Sequence, residues 1–213
     1  MKKTLIVLAF LAALFCTEKA QAQLNIHVGY APEFFSTKTP AHDSIMFFHG
    51  FNIGLGWEFD LGKNFSLNVG AQYRMSLRDA IKPRDPASPP YMPGTGYREK
   101  QQLVDIPILF KYNVHGGEKF TFSPFVGPML SCGIYAKSTP VNNPDTHHYW
   151  YKDNGVAYHP NKRFNLYAVA GFEFDIFKIS ISFGGRYGFL NLNKNTDTTT
   201  RAVGFFFNFG HTF

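Results

Sequence analysis

Cysteine is nearly absent: 213 residues hold two, Cys16 and Cys132. A disulfide scaffold is excluded for any mature form that loses Cys16. Long hydrophobic runs are absent too. Beyond the first residues no stretch approaches eighteen consecutive apolar residues, so no membrane helix is expected. Charged residues make up only 17% of the chain, with a mildly basic balance of +6. No metal-ligand spacing closes, and no convincing catalytic cluster stands out, so neither a cofactor nor a reaction is read from the sequence.

What is present begins with a leader. Lys2 and Lys3 precede an apolar run from Leu5 to Phe15, too short to span a bilayer. Ala20-Gln21-Ala22 then offers a small-x-small cleavage site before Gln23. This is the pattern of a secretory signal peptide over residues 1–22. A lipoprotein reading of Cys16 is disfavoured by the bulky Phe15 just before it. Losing Lys2, Lys3, Lys19 and Glu18 lowers the formal charge from +6 to +4. Export makes nucleic acid an unsuitable partner, while the residual basic charge suits contact with outer-membrane lipid and anionic lipopolysaccharide.

Residues 23–213 alternate with period two almost throughout, the mark of β-strands. Leu24, Ile26, Val28 and Tyr30 share one face of the first predicted strand. Phe51, Ile53, Leu55, Trp57 and Phe59 share one face of the second, opposite Gly50, Asn52, Gly54, Gly56 and Glu58. The third sets Leu67, Val69, Ala71 and Tyr73 against Asn68, Gly70, Gln72 and Arg74. The fourth sets Val104, Ile106, Ile108 and Phe110 against Asp105, Pro107, Leu109 and Lys111. The fifth, from Phe120 to Tyr135, is less regular. Pro124 and Pro128 cannot donate ladder hydrogen bonds, so a bulge or break is expected there. Three more strands run through Phe164–Ile176, Ile179–Phe189 and Val203–Phe213.

A soluble sandwich would bury the apolar faces, whereas a membrane barrel turns them to lipid and keeps polar residues inside. Three features favour an eight-stranded antiparallel up-and-down transmembrane barrel. Short connections (Asp60–Asn64, Asn113–Lys119, Phe177-Lys178) alternate with long ones (Phe35–Met46, Asp79–Glu99, Lys137–Asn161, Leu190–Thr200), as periplasmic turns alternate with external loops. Most strands reach the ten residues that a tilted crossing needs, against the five or six usual in soluble proteins. Of nineteen glycines, twelve fall on the presumed inner face and one, Gly185, on the outer. A narrow lumen has room for little else. Aromatic residues near strand ends (Tyr30, Phe47, Trp57, Phe59, Tyr112, Tyr187, Phe189 and Phe213) fit interfacial girdles.

The chain ends on Phe213, with Phe209, Phe207 and Phe205 in register behind it. This resembles the C-terminal signal read by the barrel-assembly machinery, with His211 departing from it. Val104-Asp105-Ile106-Pro107-Ile108-Leu109-Phe110-Lys111-Tyr112 resembles the Leu-Glu-Ile-Pro-Leu-Leu-x-Lys-Tyr strand of the outer-membrane β-barrel domain family of Bacteroidetes, which includes the PorT-like proteins. Pro124-Phe125-Val126-Gly127-Pro128, Arg163-Phe164-Asn165 with Gly171, and Arg186-Tyr187-Gly188 are similar to its later strands. The resemblance implies fold and location, and says little about activity.

Inside such a barrel five acids, Glu58, Asp60, Asp105, Glu173 and Asp175, meet four bases, Arg74, Arg78, Lys111 and Arg186. Stranding one of these charges costs several kcal/mol, so a paired structural network is expected. His147, His148 and His159, with Asp145 and Asp153, raise a metal reading in one external loop, but the spacing matches no closed set. Tyr149, Trp150, Tyr151 and Tyr158 in that loop are candidate recognition residues. The loop from Asp79 to Gly96 carries five prolines, from Pro83 to Pro93, which stiffen it. His49, with Ser36 and Asp43 nearby in sequence, is the one combination that suggests a lipid-facing hydrolase. The leading expectation is a non-enzymatic outer-membrane barrel, structural or serving a surface or secretion complex. The alternatives are a surface-binding or adhesion barrel acting through its loops, and a lipid-modifying enzyme.

Overall fold

The computed structural model describes residues 23–40, 43–81, 96–117, 120–140, 147–148, 162–193 and 197–213. The leader and the aromatic loop residues Tyr149, Trp150, Tyr151 and Tyr158 lie outside them. So do His159, Asp145, Asp153 and the prolines between 83 and 93.

Strands β1 (Gln23–Tyr30) and β2 (Glu33–Lys38) form one stave, interrupted at Ala31-Pro32. The remaining staves are β3 (Asp43–Gly62), β4 (Phe65–Ile81), β5 (Gly96–Tyr112), β7 (Phe120–Pro140), β9 (Phe164–Ile176), β10 (Ile179–Gly188) and β11 (Thr199–Thr212). Two short pieces, β6 (Val114–His115) and β8 (His147–His148), pair with β7. Every neighbouring pair is antiparallel. The first stave bonds β3 on one side and β11 on the other, so the sheet closes into a ring of eight staves. Closure removes the exposed edges that an open sheet would leave unsatisfied in lipid. Pro32 causes no slip, because Tyr30 and Glu33 keep one register against both neighbours.

The turn between β3 and β4 shows why one short connection suffices. Gly62, Lys63 and Asn64 all have positive φ, at 82°, 52° and 69°, the backbone that hairpin turns matched to strand twist require. A Cβ on Gly62 would meet nothing within 4 Å. A Gly62→Ala change is therefore expected to destabilise the barrel by about 1 kcal/mol through backbone conformation alone. A urea midpoint that falls with an unchanged slope would show it.

Two expectations about loops and strands are corrected. The connection anticipated from Phe35 to Met46 is mostly strand, because β2 runs on to Lys38 and β3 begins at Asp43. Of the bulge or break anticipated at Pro124 and Pro128, a break is found, since the β5–β7 pairing is interrupted between the Pro107–Met129 and Phe110–Val126 pairs, opposite Pro128; the bulge lies elsewhere. Both prolines keep register with β9, and the extra residue is Ile134, where β5 and β7 shift between Gln102 and Leu103. Before Ile134 the inward residues of β7 are Ser123, Phe125, Met129 and Ser131; after it they are Ala136 and Ser138.

The outer face is apolar as expected. Ile53, Ile106, Val126, Leu130, Phe205, Phe207 and Phe209 are all exposed. Leu67 also faces outward, in register with Phe59 and Phe110, although its neighbours leave it only 8% exposed. The inner face is more mixed than a simple polar lumen. Phe35, Phe48, Phe125, Met129, Tyr167 and Val169 form a buried apolar cluster there, with Phe206 packed against it. Large rings inside a narrow barrel need small partners opposite. Gly171 and Gly184 supply that room, since a Cβ on either would stand 2.7 Å from the ring of Phe125 or Phe206.

Candidate functional site

The inner wall gathers charge at three levels, set by the strands that carry it. At the centre, Arg74 of β4 donates from Nη1 to Glu33 Oε2 at 2.5 Å and from Nε to Asp105 Oδ2 at 2.8 Å. All three side chains have no solvent exposure. Asp105 also accepts from Ser131 Oγ at 2.5 Å and from Gln72 Nε2 at 3.2 Å. Glu33 accepts from the Tyr167 hydroxyl at 2.7 Å. Arg186 donates to the Ala31 carbonyl at 2.9 Å, places its Nε 3.6 Å from Glu33, and lies over the Tyr167 ring at 5.9 Å. Two carboxylates and two guanidiniums thus neutralise one another. Six staves contribute, through Glu33, Arg74, Asp105, Ser131, Tyr167 and Arg186.

Towards the periplasmic turns, Lys111 bridges Glu58 at 2.7 Å and Glu173 at 2.5 Å. Ser66 donates to Glu58, Asn113 to Ser66, and Ser123 to Asn113. Below lies an open vestibule of about 490 Å³, which Asp175 helps to line. Between the two clusters is a cavity of about 60 Å³ lined by His27, Gln72, Lys111 and Arg186 among others, room for a few waters. Towards the external end, Arg78 pairs with Glu99 at 3.0 Å and covers the Phe48 ring at 5.7 Å.

All nine charged residues anticipated inside lie on the inward register. Asp60 stands at its periplasmic rim, exposed, opposite the buried Ser66 and lining the same vestibule as Asp175, and it accepts the Gly62 amide at 2.7 Å. The β3–β4 pairing shifts only beyond it, between Asp60 and Gly62. Glu33 and Tyr167, both central, were not anticipated. Glu33 continues the odd-numbered inner series Asn25, His27, Gly29, Ala31 and lies within the first predicted strand, Leu24–Phe34.

The hydrolase constellation does not assemble. His49 instead hydrogen-bonds the Tyr30 hydroxyl through Nδ1 at 2.7 Å and packs edge-on against Phe47. Ser36 pairs with Ile45, four residues along β3 from His49, and Asp43 pairs with Lys38 further out. At about 3.3 Å per residue, Ser36 and His49 stand roughly 13 Å apart along the strand. His147 and His148 pair with Lys137 and Ser138 through the backbone. No group of three metal-ligating side chains occurs among the described residues.

A family model described as outer membrane protein beta-barrel domain matches residues 19–197. No curated protein matches the sequence. Among solved structures the chain is similar to Ail, the attachment invasion locus protein of Yersinia pestis, at 16% identity over 90% of this chain and 99% of that one, with a TM-score of 0.49. It is also similar to OprG from Pseudomonas aeruginosa, at 12% identity over 91% and 97%, with a TM-score of 0.44. The outer membrane enzyme PagL is similar at 9% identity over 84% and 97%, with a TM-score of 0.38.

Proposed function

The chain belongs to the outer membrane protein beta-barrel domain family, and from that premise we propose that it is a non-enzymatic, non-conducting barrel serving as a structural part of a surface or secretion complex. The observation that carries this reading is the filled lumen. The ion pairs of Glu33, Arg74, Asp105 and Arg186 cross it at one level, and Phe35, Phe48, Phe125 and Tyr167 fill the space around them. Eight staves leave an interior that side chains can occupy completely. The separation of His49 from Ser36 and Asp43 supports the non-enzymatic part.

Kinship with the PorT-like proteins of Bacteroidetes belongs to the same proposal, supported by the Val104–Tyr112 segment. So does export through a leader cleaved before Gln23, followed by delivery to the barrel-assembly machinery through the strand ending at Phe213. That last strand is well formed: Phe213 donates its amide to the Leu24 carbonyl at 2.8 Å, completing the seam between first and last staves. Purified protein inserted into a planar bilayer is expected to give no unitary conductance. A steady open level in most insertions would overturn the closed reading.

A further inference from the structure

The bulge at Ile134 has a chemical consequence on the outer face. Without the extra residue, Lys137 would follow Ser131 and Gly133 into the lumen. With it, Ala136 and Ser138 turn inward and Lys137 turns outward. Its register partner on β5 is Lys100, which also faces outward and pairs with Leu77 on β4. Two ammonium groups directly opposite one another on the same face repel, and here both are half-buried. Neither is within ion-pair distance of a carboxylate among the described residues. Arg98, two residues along β5, adds a third cation, balanced in part by Asp79 at 3.6 Å. Glu99 and Asp79 also line this region, Glu99 paired with Arg78 at 3.0 Å and Asp79 with Arg98, so four cations there meet two carboxylates. These cations edge a groove of about 960 Å³, whose other walls include Phe47, Phe51 and Leu77.

Height decides what such a site meets. Twelve residues along β4 separate Phe65, paired with Tyr112, from Leu77, paired with Lys100. At about 3.3 Å per residue and a tilt near 40°, the lysines stand roughly 30 Å above that periplasmic aromatic pair. The apolar band of such barrels is about 25 Å tall. Lys100 and Lys137 therefore lie at the headgroups of the outer leaflet, above a surface suited to acyl chains.

We propose that Lys100, Lys137 and Arg98 form a binding site for the phosphorylated sugar head of lipid A, its acyl chains descending past Leu77 onto Phe51. An anion between the two lysines turns their repulsion into a shared charge-assisted contact. A point-charge donor at a membrane surface suits a phosphate, and three cations match a head that carries more than one.

The test uses the intact barrel in neutral detergent, with native mass spectrometry reading retained lipid. Bisphosphorylated lipid A, dephosphorylated lipid A and phosphatidylglycerol are offered at equal concentration. Bisphosphorylated lipid A is expected to be retained at least fivefold more than either competitor. The Lys100→Gln/Lys137→Gln double variant is expected to lose that preference. Lys137→Glu, which gives Lys100 a carboxylate partner, is expected to lose it as well while folding normally. Heat-modifiable migration on a gel confirms that each variant forms a barrel. Equal retention of the three lipids, or an undiminished preference in both folded variants, would overturn the proposal; parity between lipid A and phosphatidylglycerol would overturn the choice of lipid A.

Discussion

Arg74→Met is expected to cost the folded barrel about 3–5 kcal/mol, the loss usual when one partner of a buried ion pair is removed. The reason is what remains. Glu33 and Asp105 have no solvent exposure, and without the guanidinium both stay buried as uncompensated anions. Arg186 cannot replace it, since its Nε is already 3.6 Å from Glu33 and its Nη2 is held by the Ala31 carbonyl. Urea unfolding in lipid vesicles, followed through Trp57 on the outer face, would measure the loss. Arg78→Met is the control. Its pair with Glu99 is 24% and 13% exposed, so water screens it and the expected change is within about 1 kcal/mol. A triple change, Arg74→Met with Glu33→Gln and Asp105→Asn, removes the stranded charges and should recover much of the loss. Equal effects at Arg74 and Arg78 would mean that the central cluster is not the dry, enclosed network its geometry describes.

The legibility of this molecule in its sequence follows from which signals are local. A strand facing lipid on one side alternates strictly, so the outward stripes of β3, β4, β5, β9 and β11 could be read residue by residue. The inner aromatic cluster could not. Phe47-Phe48 and Phe34-Phe35 are adjacent apolar pairs that carry no alternation, and which member turns inward depends on register with partners distant in the chain. Composition and parity place Arg74, Asp105, Lys111 and Arg186 in the core. Glu33 falls inside the first predicted strand, yet only the register that two neighbouring staves hold across Pro32 brings it to the same level. The Ile134 bulge is equally a matter of register. Pro124 and Pro128 announce irregularity but sit within a ladder that keeps step with β9. Ile134 announces nothing, and its extra residue exists only in relation to Gln102 and Leu103 of β5.

Arginine placed on the outer surface should cost an amount that depends on depth, and two positions separate the extremes. Ile106 is 42% exposed and pairs with Leu130. It lies near mid-height, about six residues above the periplasmic end of β5, which is roughly 15 Å up the barrel. Ile106→Arg is expected to destabilise by about 2–4 kcal/mol, the cost of a guanidinium at the centre of the hydrocarbon. Ile45 is 75% exposed and points outward from β3, four residues beyond His49 and so above the apolar band. Ile45→Arg should change stability by about 0–1 kcal/mol. The contrast is what matters, because both are exposed isoleucines on outward faces and a soluble protein would treat them alike. Vesicle unfolding midpoints that fall sharply for Ile106→Arg and hardly move for Ile45→Arg would fix the membrane against the barrel's middle. Similar midpoints for the two variants would mean that the band of Leu55, Ile106 and Leu130 does not face acyl chains. The lysine pair at 100 and 137 would then lose its place at the headgroups as well, since its height was reckoned on the same scale.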